Sequence, residues 1–373
     1  MESTADIGVT NGEQNPNRSV GGVMSELIEV PPGLAGVAVA ATEISDVLGP
    51  EGYYHYRGQP APKLARESNY ETVAALVLDG STVPLSGDRA LPPSLEPLLQ
   101  RTDLRTALSA LGVALELGAL TEISREQRVA GAVRLITAMP TLVASVLHGR
   151  MIEPDPSLGH VADFIRMVTG SPASAEVVAA LESYFVLTID HGFSNSTFAA
   201  RVVASSGADL ASCVLAGFGA LNGPRHGAYP ERILDMLDGI KEHGNAVEWM
   251  KIEVAAGRRL QGFGHSVYQT QDPRLELLRE VGAVVAPDRS RAACEVEVAG
   301  AEVLSGRRLA PNLDLHAAVV LEGCAMPRGW FTAAFATARI AGWCAHAIEE
   351  ASNSKILRPA AYYVGPTPTD NIY

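Results

Sequence analysis

From about residue 60 onward the apolar residues of this chain recur at helical intervals, and that periodicity restricts its fold more than any other feature. Ser124 and Gln127 have the spacing of a capping box. Behind them Val129, Val133 and Ile136 mark one helical face until Pro140, which is expected to stop the helix. Residues 174–188 repeat the pattern through Val177, Leu181, Tyr184 and Phe185, and residues 331–349 do so through Phe331, Phe335, Ala338, Gly342 and Ala345. The last segment is rich in Ala and Gly, which lets neighbouring helices approach closely. Sustained strand alternation is absent after residue 60. The expected fold is all-α, with one small N-terminal β-hairpin turning at Gly49-Pro50-Glu51-Gly52.

Residues 1–32 read as a flexible tail, polar and without periodicity. They contain no apolar core of a secretory signal, and no uninterrupted apolar stretch in the chain approaches bilayer length. Hydrophobic residues make up 47% and charged residues 19% of the chain, ample for a sizeable core. The formal net charge of −13, without a basic run, argues against nucleic acid or an anionic membrane as partner. Any anionic substrate must therefore be held by a local cluster of Arg and His. Cys213, Cys294, Cys324 and Cys344 form no C-x-x-C pair, as expected of a reduced cytoplasmic protein.

Several chemistries lack their usual parts. There is no P-loop, no completed G-x-G-x-x-G, no zinc spacing and no G-x-S-x-G elbow. What remains is a set of histidines beside glycines, an isolated acid and isolated arginines. His191 opens the polar segment after Asp190, His226 lies in NGPRHG, and His265 lies in GFGH. Glycine beside histidine permits close approach of a ligand, although each histidine alone reads more readily as a solvated loop residue or a satisfied buried one. Asp314, between apolar residues in PNLDLH, reads either as a desolvated base or as a helix N-cap. Arg274 follows Asp272-Pro273, Arg339 interrupts an apolar helix, and Arg358 precedes Pro359.

Six blocks in this order resemble the citrate synthase family: DHGFSNSTFAARVVASSGADL, GALNGPRHGAYPERILDML, GFGHSVYQTQDPR, PNLDLHAAVVLEG, FTAAFATARIAGWCAHAIEE and KILRPAAYYVG. GLAGVAVAATEISDVLG with YYHYRG resembles its N-terminal block, so the likeness runs from about residue 33 to 365. The resemblance implies an acyltransferase that condenses acetyl-CoA with oxaloacetate and water, giving citrate and free CoA. In it Asp314 is the base, His226 donates to the thioester oxygen, and His265 polarises the ketone. His191, Arg274 and Arg339 are implied oxaloacetate contacts, with Phe335 packed nearby. Arg358 is implied to reach the neighbouring subunit's site, which makes a homodimer necessary. Acyl-CoA is then a co-substrate; no metal and no tightly bound cofactor are implied. The implied fold has a small helical domain at about 228–320 and a large one at 33–227 plus 321–373, closing over substrate.

Some positions depart from the family pattern. Ser266, Gln269 and Gln271 stand where basic residues are usual, in the region around Gly262, Gly264 and Gln269 that lies near CoA in the family. Tyr229 and Pro230 alter the block after His226, Gly192 replaces a common Glu, and Ala317-Ala318 replace Ser-Gly. Two alternatives accompany the main reading: a 2-methylcitrate synthase using propionyl-CoA, and a relative that binds CoA or a tricarboxylate without turnover.

Overall fold

A computed structural model describes residues 28, 30–224, 226, 230–265, 267–268, 271–307, 309–361 and 364–366. The expected tail (apart from residues 28 and 30–32) and the expectations at Tyr229, Ser266 and Gln269 lie outside the described residues. The chain divides into two compact units, Thr42–Leu357 and a smaller one made of Met1–Ala41 with Arg358–Tyr373. In the smaller unit a 3-10 turn, Pro32–Leu34, follows Pro31.

The larger unit is helical, as expected. Its helices are α1 (Ala61–Glu67), α2 (Tyr70–Asp79), α3 (Glu96–Leu99), α4 (Leu104–Ala114), α5 (Arg125–His148), α6 (His160–Thr169), α7 (Ala175–Thr188), α8 (Asn195–Ser205), α9 (Leu210–Leu221), α10 (Glu231–His243), α11 (Ala246–Ala255), α12 (Leu275–Val285), α13 (Pro287–Val303), α14 (Leu313–Gly323) and α15 (Phe331–Glu350). Side-chain caps mark where many begin: Ser174, Ser194, Asp209, Asn245 and Asn312 each accept from a backbone N–H in the first turn. Each such cap contributes on the order of 1 kcal/mol. The Ser124 box is formed in both directions, Gln127 N–H to Ser124 Oγ at 3.3 Å and Ser124 N–H to Gln127 Oε1 at 2.9 Å.

Pro140 does not stop α5, which continues through it to His148. Local propensity is overridden by packing, since nearly every residue from Gly131 to Val146 is buried. By length and composition α5 has a window apolar enough to cross a bilayer, interrupted by Arg134, and most of that window is buried inside the protein. The core is centred on α15, which packs against α2, α5, α7, α8 and α9 and is buried along nearly its whole length. Close approach here depends on small residues: a Cβ on Gly342 would stand 2.4 Å from the Ile189 carbonyl oxygen.

The expected hairpin is present. Strand β1 (Ser45–Leu48) pairs antiparallel with β2 (Tyr53–Tyr56) in the register Ser45 to Tyr56, and a short β3 (Gln59–Pro60) extends the sheet. Tyr54 and Tyr56 are fully buried and donate to the Leu187 and Val186 carbonyls at the end of α7. The hairpin is thus anchored beside the segment that carries His191.

Candidate active site

The turn that carries His265 is built by pairing with the strand-like approach to α14. Gly264 N–H donates to the Ala310 carbonyl at 2.7 Å, Asn312 N–H donates to the Gly262 carbonyl at 2.9 Å, and Asn312 Nδ2 donates to the Gly264 carbonyl at 2.8 Å. Gly262 and Gly264 take φ of +77° and +85°, angles that favour glycine. Asn312 also caps α14, so one side chain fixes both His265 and the helix that presents Asp314.

Asp314 sits in the first turn of α14, two residues after the cap; the cap alternative falls to Asn312. No described residue hydrogen-bonds its carboxylate. Burial raises its pKa to about 6, with Arg274 pulling it down and Asp272 pushing it up. A carboxylate in that state is a base near neutral pH.

His265 Nδ1 accepts the backbone N–H groups of Val267 and Tyr268 at 3.0 and 3.1 Å. Backbone amides only donate, so these two shorter bonds outweigh the 3.4 Å approach of Arg274 Nη2 to Nε2 and place the proton of the neutral ring on Nε2. Burial and then Arg274 lower its pKa to about 4. His226 Nε2 accepts from the Ser196 N–H at 3.3 Å, at the N-terminus of α8, and lies 2.8 Å from Ser196 Oγ. Its proton is therefore on Nδ1, and burial followed by Arg339 lowers its pKa to about 4. Both imidazoles are neutral donors above that pH.

Arg274 is buried and engaged by Asp272, through Nε at 2.8 Å and Nη2 at 2.7 Å. Asp272 also accepts the Leu313 N–H of α14 at 2.9 Å, tying Arg274 to the helix of Asp314. Arg339 is buried, donates through Nε to the Thr188 carbonyl at 2.6 Å, and has its Cζ 4.8 Å from the Phe335 ring centre. No described residue hydrogen-bonds its Nη groups, which leaves both for an anion. His191 feels both charges. Its ring meets Tyr54 at 5.4 Å and His265 at 5.5 Å, and its Nε2 is 2.8 Å from Tyr268 Oη. Burial first, then Arg274 and Arg339, hold its pKa well below the usual value.

The preceding Asp190 is held in place by the Ser45 hydroxyl and by the Gly192 N–H at 3.0 Å. Gly192 has φ of +60°, and a Cβ there would be 2.9 Å from Val47 Cγ2. The departure from Glu at this position therefore accommodates strand β1. Ala317 and Ala318 are core positions of α14.

His191, His226, His265, Arg274, Arg339 and Asp314 thus form one electrostatic cluster: Arg274 acts on His191, His265 and Asp314, and Arg339 acts on His191 and His226. Arg358 is exposed and belongs to the smaller unit. Gln271 is exposed. Sequence reasoning missed Tyr268, Asp272 and Ser196. Their signals, a Tyr three residues after His265, an Asp two before Arg274 and a polar turn before α8, acquire meaning only through contacts between distant segments.

A family profile described as "Citrate synthase, C-terminal domain" matches residues 33–360. A citrate synthase of Mycolicibacterium smegmatis is 33% identical over 365 residues, covering 91% of this chain and 96% of that protein. A 2-methylcitrate synthase of Mycobacterium tuberculosis is 32% identical over 369 residues, covering 92% of each. The crystal structure of citrate synthase from Thermotoga maritima superimposes with a TM-score of 0.80 at 32% identity, covering 92% of this chain and 98% of that one. Fold and site together define an all-α enzyme of the acyl-transferring type. The chain belongs to the citrate synthase family.

Proposed function

We propose that this protein condenses acetyl-CoA with oxaloacetate and water to give citrate and free CoA. The observation that carries the reading is the half-buried carboxylate of Asp314, to which no described residue hydrogen-bonds, set by Asn312 beside the His265 turn with its pKa near 6. Asp314 takes a proton from the methyl carbon of the thioester. The Nδ1–H of His226 stabilises the enolate oxygen, and a neutral imidazole suits this because it donates without first giving up a charge. The enolate carbon forms a bond to the ketone carbon of oxaloacetate as His265 Nε2–H supports the developing oxygen charge. Water then cleaves the thioester and CoA leaves as a thiol. Arg274, Arg339 and His191 hold the carboxylates, and Arg358 completes the site from the neighbouring subunit of a homodimer. Residues 228–320 act as a smaller lobe closing on the larger. No metal or tightly bound cofactor enters this scheme, and a cytoplasmic location fits it.

A second reading, condensation of propionyl-CoA, is favoured by the likeness to the mycobacterial 2-methylcitrate synthase. One extra methyl changes selectivity by only about 1–3 kcal/mol. Thiol release, measured with oxaloacetate and each acyl-CoA in parallel, tests both readings. The expected result is release with acetyl-CoA at the higher kcat/KM. Higher kcat/KM with propionyl-CoA supports the second reading, and folded protein that releases thiol from neither is a binding relative.

A further inference from the structure

We propose that Tyr268 is a positioning residue whose hydroxyl donates to His191 Nε2, fixing His191 as the neutral tautomer that offers Nδ1–H to a substrate carboxylate. The inference deepens the functional reading and rests on it for the identity of the anion.

The three imidazoles differ in how their protons are set. His226 and His265 each accept backbone N–H groups on one ring nitrogen, which favours the proton on the other. His191 has no backbone donor on its ring. Its partner is the Tyr268 hydroxyl at 2.8 Å, which is able to donate or accept. Two observations decide between them. Tyr268 is only 4% exposed, and its hydroxyl meets no described group besides His191. Were it to accept from Nε2–H, its own O–H would be left unpaired in a buried setting, which is the costly arrangement. Were it to donate, the hydroxyl proton and Nε2 are both paired, and the donor left open is the Nδ1–H of His191, a half-buried ring rather than a buried hydroxyl. The second observation is the charge around the ring. His191 lies in the field of Arg274 and Arg339, and its Nδ1 meets no described partner. A neutral Nδ1–H there adds a third donor beside two guanidinium groups, an arrangement complementary to a dicarboxylate.

The rest of Tyr268 is held without the hydroxyl. Its ring centre is 4.7 Å from that of His265 and 5.7 Å from Arg274 Cζ, and its backbone N–H serves His265 Nδ1. Tyr268→Phe therefore removes the donor while keeping the packing. Long-range proton–nitrogen spectra of protein labelled with nitrogen-15 in histidine read the tautomers directly, with His191 assigned by the loss of its signals in His191→Gln. Wild type is expected to show His191 with its proton on Nδ1, and Tyr268→Phe to lose that single form. The Kd for oxaloacetate, titrated without acyl-CoA, is expected to rise about 3- to 10-fold in Tyr268→Phe, the scale of one hydrogen bond. The His265 signals and the KM for acyl-CoA should not move. A wild-type His191 protonated on Nε2, an unchanged oxaloacetate Kd, or equal disturbance of His265 and the acyl-CoA KM would overturn the proposal. The tautomer is read with no substrate present. Wild type that binds no oxaloacetate thus counts against the functional reading, while the spectra still decide the role of Tyr268.

Discussion

A carboxyl group whose pKa burial raises to about 6 is uncharged in acid and charged, at a cost to the fold, above neutrality. For Asp314 the unfolded reference is about 3.9. Above pH 6 the folded chain holds the anion less favourably than the unfolded chain does, by roughly 2 pKa units or at most about 3 kcal/mol. Below about pH 4 both states are neutral and the cost vanishes. Asp314→Asn is therefore expected to be more stable than wild type at pH 8 in urea denaturation, with the gap closing through pH 6; equal stability at pH 8 would show an unstrained surface acid. The same group sets the pH dependence of catalysis. kcat/KM for acyl-CoA should fall as pH drops through about 6. His226 and His265 are already neutral above about pH 4 and add no limb there. A rate that stays flat from pH 5 to 8 would place the base elsewhere. The sequence made Asp314, His265 and His226 legible through the order of their blocks. It did not reveal their tautomers, because these depend on Ser196, Val267 and Tyr268 donating across turns that no spacing rule describes.

At the scale of elements, the hairpin was legible from its β-prone runs and Gly-Pro turn, while its bearing on chemistry was not. A Cβ on Gly49 would lie 2.3 Å from the Val267 carbonyl oxygen, far inside contact distance. The tip of the hairpin is thus pressed against the turn whose amides hold His265. Gly49→Ala must shift one or the other. kcat is expected to drop about 10- to 100-fold, the scale of a small misplacement of a catalytic group, with the far-ultraviolet circular dichroism unchanged. A variant with unchanged kcat would reduce the contact to packing. Among helices, those with caps and clean periodicity were legible in type and position. Pro140 misled because its cost is local, whereas the burial of α5 that outweighs it is contributed by partners far along the chain.

For the whole molecule, the proposed lobes meet at ion pairs as well as at the site. Arg66 on α1 engages Glu280 on α12, and Arg328 just before α15 reaches Asp238 on α10 at 2.8 Å. These pairs are partly exposed, where each is worth about 0–1 kcal/mol, too little to lock the proposed lobes together. The proposed dimer makes a sharper claim. Chains carrying Arg358→Ala and Asp314→Asn, each inactive alone, should regain activity when unfolded together and reassembled, since one site of the mixed dimer has both groups. Verified heterodimers without activity would place Arg358 outside the partner's site.

The central claim is that Asp314 abstracts a proton from one substrate while other residues hold the second. Turnover and oxaloacetate Kd measured together for Asp314→Asn test it most directly. The account predicts a loss of turnover of about 10²- to 10⁴-fold with the oxaloacetate Kd essentially unchanged. Turnover close to wild type in the folded variant would contradict it.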